Sequence, residues 1–331
     1  MMENEARDAA SLFEAERRHL FGVAYRMLGT RAEADDVLQD AWLRFAESER
    51  ARDVESPRAF LTTIVVRLCL DHLKSARARR ETYVGPWLPE PLVTMDASPP
   101  NRATNADERI ELAESLSIAF LVVLERLTPL ERAAFLLREV FDRPFEEVAT
   151  TLDTTEAACR QLVSRARAHI AESRARNSAT HEKKTELFQA FMVACASNDP
   201  EALGKLLADD VVLRSDGGGK VHAALKPVYG RDHVTRFLLG VLKRGLSQPG
   251  YSPAAIGVPR FVYVNGEPGV IQSDAEGDRA VTTIAVEGDR ITEVFIVVNP
   301  DKLGCRARAA PREAPDPARL VYAPARRARE S

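Results

Sequence analysis

The sequence predicts a multidomain chain: two all-α units, the second a helix-turn-helix, followed by an α+β domain. Three observations predict it. Two stretches, residues 6–80 and 128–170, place apolar residues at the i, i+3, i+4, i+7 spacing of one-sided helices. A proline-rich polar stretch between them interrupts that period. Beyond about residue 182, helices give way to short strands joined by tight turns. A chain of 331 residues accommodates two or three domains. With 45% hydrophobic but only 6% aromatic residues, their cores must be packed and mainly aliphatic.

Residues 6–28 read as an amphipathic helix with Leu12, Leu20, Val23, Ala24 and Met27 on or near one face. Gly29 is its expected C-cap. The next helix, Arg31 to Phe45, has a buried stripe of Ala34, Val37, Leu38, Ala41, Trp42 and Phe45. Its opposite face carries Asp35, Asp36, Gln39 and Asp40, and carboxylates this close repel one another unless a basic partner meets them. Such a cluster reads equally as acids suited to a helix N-terminus or as a docking face. Ser56-Pro57 opens a third helix as N-cap and first-turn proline. Phe60, Leu61, Ile64, Val65, Leu68 and Leu73 are its core face. Arg67, Asp71, Lys74, Arg77, Arg79 and Arg80 leave a basic edge able to neutralise phosphates.

Thr128-Pro129 opens another helix, with Glu131 placed to complete a capping box. Ala134, Leu137 and Phe141 keep its period until Asp142-Arg143-Pro144 breaks it. A short helix from Phe145 to Leu152 and a turn at Asp153-Thr154 follow. A longer helix from Thr155 to about Ile170 then sets Arg160, Gln161, Ser164, Arg165 and Arg167 beside a buried edge of Ala158, Leu162 and Ala166. Two helices, a tight turn and a basic second helix make a helix-turn-helix, which lays that helix in the major groove. Arginine and glutamine can make paired hydrogen bonds to base edges there, although the same pattern also fits an ordinary helical hairpin with a solvated basic face.

The net charge of −3 does not announce a nucleic-acid binder; its distribution matters more. Residues 155–176 hold five arginines against two glutamates, and residues 74–80 hold four basic residues and no acid. Cys69, Cys159, Cys195 and Cys305 lie far apart with no CxxC, which points to reduced cytosolic thiols rather than disulfides or zinc. The N-terminus lacks the basic and apolar regions of a signal peptide, and no apolar run is long enough to span a bilayer.

The two helical units now carry specific motifs. AEADDVLQDAWLRF, with FLTTIVVRLCLDHLKSARARRE behind it, resembles the second region of the extracytoplasmic-function (ECF) sigma factors, the promoter-recognition subunits of bacterial RNA polymerase. LTPLERAAFLLREVFDRPFEEVATTLDTTEAACRQLVSRARAHI resembles their fourth region. The resemblance implies that Asp35, Asp36, Gln39 and Asp40 dock on the clamp of the β′ subunit of core polymerase. It implies that Arg67, Asp71, Lys74 and Arg77 lie at the surface that reads and melts the −10 element, although many relatives carry asparagine where this chain has Arg67. It implies that Thr155, Arg160, Gln161, Ser164 and Arg165 read the −35 element. Polymerase does the chemistry, and no cofactor is implied.

Between the units, Tyr83 to Glu108 contains prolines 86, 89, 91, 99 and 100, which argue for an extended linker. Its Trp87-Leu88-Pro89-Glu90-Pro91 is unusual for a spacer, because it would expose a large indole. After a charged hinge, Leu187 to Leu207 reads as two helices broken at Asn198-Asp199-Pro200. Val211 to Arg214 reads as a strand, and Asp232 to Arg244 as a helix. Strands follow at Arg260 to Val264, Gly269 to Ser273, Ala280 to Val286 and Ile291 to Val298. Asn265-Gly266 and Glu287-Gly288-Asp289 are hairpin turns. This half resembles the SnoaL-like, ketosteroid-isomerase-like α+β cone.

Asp216-Gly217-Gly218-Gly219-Lys220 is not a phosphate loop: Arg214 and Val221 stand where that motif requires glycine and a hydroxyl residue. WLPEP, DGGGK and Asn299-Pro300-Asp301-Lys302-Leu303 together instead resemble the SigJ-like subgroup of ECF sigma factors, whose fused SnoaL-like domain is thought to regulate the sigma unit in place of a separate anti-sigma protein. The resulting division is region 2 over residues 1–85, linker 86–108, region 4 over 109–176, SnoaL-like domain 182–303 and a disordered tail 304–331. The expected contact sets Trp87 and Leu88 as an apolar anchor, brings Lys220 to Glu90, and is braced by Asn299 to Leu303. A small ligand in the cone pocket stays open. An alternative makes the cone an isomerase or cyclase using Asp216, His222, Asp232 or His233, but nothing in the spacing gathers them round one cavity. A ligand-sensing repressor would not need the acidic face.

Overall fold

The computed structural model describes residues 2–48, 56–95, 116–174, 179–247, 259–274 and 277–303. The remainder, including residues 96–115 and the tail from residue 304, lies outside the described residues.

Region 2 is a bundle of α1 (Met2–Leu28), α2 (Arg31–Ala46) and α3 (Pro57–Glu81). Gly29 ends α1 at φ +79, the left-handed conformation that lets the chain turn at once into α2. Thr30 caps α2 by accepting from the Glu33 N–H. The expected stripe of α2 is buried, with Trp42 only half-covered. On α1 the phase is one residue off at the start: Leu12 is 36% exposed and Phe13 is buried. Phe13 stands seven residues before Leu20, two full turns, whereas Leu12 falls to the side. On α3 the buried face also takes in Val66 and Cys69.

Region 4 comprises α4 (Ile118–Leu124), α5 (Pro129–Phe135), α6 (Phe145–Leu152) and α7 (Glu156–Arg174). Thr128 and Glu131 make the expected capping box. Residues Leu136–Val140 widen into a π-turn, which delivers the chain to Asp142 at φ +48. Asp153 closes α6 in the left-handed conformation. The buried edge of α7 is Cys159, Val163, Ala166 and Ile170, while Ala158 and Leu162 are only half-covered. The expected edge was displaced because the apolar pattern of this helix admits two neighbouring phases, and contact with α5 and α6 selects one.

Regions 2 and 4 share one continuous apolar core. α3 packs on α5 and α6. Arg132, nearly fully buried, donates from Nη1 to the Met27 carbonyl at 2.6 Å and to Glu125 at 2.7 Å. Side-chain packing, and not the stiffness of the proline-rich linker alone, holds the two units together.

The third unit is an α+β domain, as expected. It contains α8 (His181–Ala196), α9 (Pro200–Leu206), α10 (Arg231–Ser247) and the strands β2 (Leu207–Asp216), β3 (Val228–Tyr229), β4 (Arg260–Val264), β5 (Glu267–Asp274), β6 (Gly277–Glu287) and β7 (Arg290–Val297). β1 (Val93–Thr94) comes from the linker and pairs antiparallel with β4, giving the order β1-β4-β5-β6-β7-β2-β3. The pairing is antiparallel except between β2 and β7, which run parallel, so the sheet is mixed. One face is covered by α8, α9 and α10 through Phe188, Phe191, Leu203 and Val234. The other is covered by Leu88 from the linker, Ile118 from α4 and Leu303 from α11 (Pro300–Leu303). Each side chain of this size removed from water contributes about 1.5–3 kcal/mol. The linker strand β1, β3 and α11 leave no readable period in the sequence, because each has only two to four residues.

Candidate functional site: the interdomain junction and the surfaces it holds

The three units meet at residues Tyr83 to Thr94. Asp216, at the end of β2, is fully buried. Its Oδ1 accepts from the Tyr83 hydroxyl at 2.5 Å and from the Gly218 N–H at 3.0 Å. Its Oδ2 accepts from the Leu88 N–H at 2.9 Å and from Lys302 Nζ at 2.7 Å. Lys302 also donates to the Leu88 carbonyl and lies 4.2 Å from the centre of the Trp87 ring. A buried ion pair with these additional hydrogen bonds holds its partners in one geometry, and losing one partner leaves a costly uncompensated charge. Burial and the Asp216 carboxylate both push the Tyr83 phenol above its ordinary range.

The glycines of DGGGK have a steric reason. Gly218 is at φ +60, and a Cβ there would stand 2.4 Å from the Asn299 side chain. That amide donates to the Tyr83 hydroxyl at 2.9 Å. Gly219, at φ +71, leaves room for Val84. The expected pair Lys220–Glu90 does not form. Lys220 binds both oxygens of Asp301 at 2.6 Å. Glu90 belongs to region 2: its N–H donates to the Gly29 carbonyl at 2.8 Å, its own carbonyl accepts from the Tyr25 hydroxyl at 2.6 Å, and its carboxylate accepts from the Arg31 N–H at 2.9 Å. The unsatisfied donors at the start of α2 draw an acceptor more strongly than an exposed lysine does. Burial nonetheless holds the Glu90 carboxyl above its ordinary value, against the hydrogen bonds from Arg31 and Ala32.

Trp87 sits over Gly29, where any Cβ would come within 2.5 Å of the indole. Leu88, Pro89, Glu90 and Pro91 are all buried. Asn265, read from sequence only as a turn residue, joins all three units. Its Nδ2 donates to the Tyr25 hydroxyl at 2.7 Å and to the Leu116 carbonyl at 2.8 Å, and its Oδ1 accepts from the Leu92 N–H at 2.9 Å. The sequence signal at Asn265-Gly266 was the turn itself, at φ +56 and +84. Nothing in that signal forecasts burial.

Of the surface residues, Asp35, Asp36, Gln39 and Asp40 are all exposed on α2. Leu43, 51% exposed, follows Asp36 by seven residues and Asp40 by three, so it shares their face. On α3, Asp71 and Lys74 pair with each other at 2.9 Å in the open, and the Arg77 side chain is outside the described atoms. Arg67 does not stand free. Its Nε donates to the Thr151 carbonyl at 3.1 Å and its Nη2 to the Thr150 carbonyl at 3.0 Å, while Thr63 meets the Thr151 hydroxyl at 3.1 Å. Those carbonyls are in the last turn of α6, where a cation is favoured by the helix dipole. Beside them, a cleft of about 430 Å³ lies between α3 and α6.

On α7, Thr155 caps the helix through the Ala158 N–H, and Gln161, Ser164, Arg160 and Arg165 are exposed together. Arg160 pairs with Glu156 and lies over Phe145. Arg167 is engaged by Glu139 through Nε and Nη2, and so braces α7. The alternative catalytic residues are not brought together: Asp216 is saturated with donors in the junction, while His222, Asp232 and His233 are exposed. Among the described residues, no helix is long and apolar enough to cross a membrane.

A helix-turn-helix with a basic reading helix, a three-helix unit with an acidic outer face and a third domain clamped to their linker define a DNA-binding factor of several domains. Residues 12–79 match sigma-70 region 2, and residues 117–170 match sigma-70 region 4. The chain is 42% identical over 301 residues to the ECF RNA polymerase sigma factor SigJ of Mycobacterium tuberculosis, covering 88% of this chain and 92% of that one. It is 31% identical over 296 residues to the probable ECF RNA polymerase sigma factor SigI of the same species, covering 89% and 94%. The crystal structure of SigJ superposes with a TM-score of 0.69 at 39% identity, over 88% of this chain and 97% of that one. The chain therefore belongs to the ECF RNA polymerase sigma factor family. Its function is promoter-directed initiation of transcription with core RNA polymerase; it is a non-catalytic factor.

Proposed function

We propose that the surfaces divide the work of initiation as follows. The face of Asp35, Asp36, Gln39 and Asp40, with Leu43 at its C-terminal end, docks on the β′ clamp of core polymerase. Arg67, Asp71, Lys74 and Arg77 meet the −10 element, and Thr155, Arg160, Gln161, Ser164 and Arg165 meet the −35 element. The SnoaL-like domain regulates both in cis by holding the linker and, through it, the spacing of the two DNA-binding units.

One observation carries the regulatory reading: Asp216 grips the linker at both Tyr83 and Leu88. The packed arrangement also engages Arg67, a −10 residue, with the helix-turn-helix. A tethered contact of modest strength suffices, because short linkers give millimolar local concentrations. The test is transcription by reconstituted holoenzyme with Trp87→Ala and Asp216→Asn. Altered promoter opening with unchanged core affinity supports regulation through the junction. Unaltered opening rejects it.

A further inference from the structure

We infer that Glu131 is a positioning residue for −35 recognition: it fixes Arg165 so that the guanidinium's terminal nitrogens meet the O6 and N7 of one guanine end-on. This rests on the reading of Arg165 as a base-contacting residue. Arg165 Nε donates to Glu131 Oε1 at 2.9 Å. Glu131 is itself immobilised. Its Oε2 accepts from the Thr128 N–H at 3.1 Å and from the Thr128 hydroxyl at 2.9 Å, and the residue is only 7% exposed. Burial would raise its carboxyl, but the hydrogen bonds from Thr128 and Arg165 outweigh it and hold it below the ordinary value. The anchor is thus ionised, rigid and attached to α5 rather than to the reading helix.

The three paired arginines of α7 differ in what remains for DNA. Arg167 gives Glu139 one side of its fork, Nε and Nη2, at the edge of the helix facing α5's continuation. Arg160 gives Nη2 to Glu156 on its own helix, so that pair moves as one with α7. Arg165 gives only Nε, to a carboxylate on another element, and remains 59% exposed at the side chain. An arginine can pair with guanine through Nε and one Nη or through its two Nη groups. With Nε held by Glu131, the end-on mode is selected. A long side chain fixed before binding loses less rotamer entropy when it binds.

The Gln substitution isolates this role. Glu131→Gln can keep an oxygen toward Thr128 and so preserve the cap, but it then turns an NH2 donor toward the Arg165 Nε donor. The experiment selects promoters from a library randomised across both elements, using full-length chain bound to core polymerase, at two salt concentrations. Wild type should prefer guanine at one −35 position. Glu131→Gln should lower that preference about tenfold while leaving the salt dependence unchanged, because the arginine charge stays. In an Arg165→Ala background, Glu131→Gln should have no further effect. A Glu131→Gln effect that persists without Arg165, or one spread evenly over the −35 positions, overturns the inference. If Arg165→Ala alone leaves every −35 preference intact, the base-reading role beneath it falls instead. Thermal unfolding of each variant, expected within a few degrees of wild type, separates both from loss of fold.

Discussion

Arg67→Ala should open the packed arrangement of regions 2 and 4. The guanidinium makes two hydrogen bonds to carbonyls of the last turn of α6, at 3.1 and 3.0 Å, one part-buried and one exposed. A net hydrogen bond contributes about 0.5–1.5 kcal/mol, and a cation at a helix C-terminus about 0.3–1 kcal/mol before screening. Discounting the exposed bond, the contact is worth roughly 1–2 kcal/mol, about a five- to thirty-fold shift toward separated units. Thr151→Val removes the Thr63 hydroxyl contact while leaving the −10 face intact, and should shift the equilibrium in the same direction by less. The assay is energy transfer between dyes on α2 and α7 in the full chain without DNA, together with amide exchange across α6. Distance distributions and α6 protection unchanged in both variants would refute the reasoning, and the shared core and Arg132 would then be what holds the units.

Reversing Asp36 and Asp40 to lysine should abolish core-polymerase binding in a pull-down with the circular dichroism unchanged, since both are exposed. Trp87→Ala and Asp216→Asn should couple by more than about 0.5 kcal/mol in a double-mutant cycle on stability, because Lys302 touches both; additive losses would count against a single junction. His19 is lowered from 6.5 to about 3, by burial first and by Arg58, Arg143 and Arg26 beside it. A folded pKa below the unfolded one gives stability that is full above pH 6.5 and is lost as pH falls toward 3. His19→Gln should therefore flatten the acid limb of unfolding in that window, and parallel limbs for the two proteins would rule the contribution out.

Much of the local structure is legible in the sequence because its causes are local. The capping box Thr128–Glu131, the left-handed end at Gly29, the break at Asp142-Arg143-Pro144 and the Asn265-Gly266 turn each depend on a few adjacent residues. The apolar period likewise identifies which face of α2 is buried, and the acidic face is what remains. The motifs WLPEP, DGGGK and NPDKL are legible as a set, and the structure brings all three to Asp216 and Lys302.

The tertiary structure alone decided who pairs with whom. Period and propensity say that a surface must be covered or a charge met, but many partners satisfy that demand until the chain is folded. So Lys220 meets Asp301 rather than Glu90, and Glu90 serves the first turn of α2. The outer face of the sheet is closed by Leu88, Ile118 and Leu303 from three distant stretches. Arg67, basic and exposed in every local reading, is turned toward α6 because the last carbonyls of that helix lack partners of their own and packing sets them within its reach.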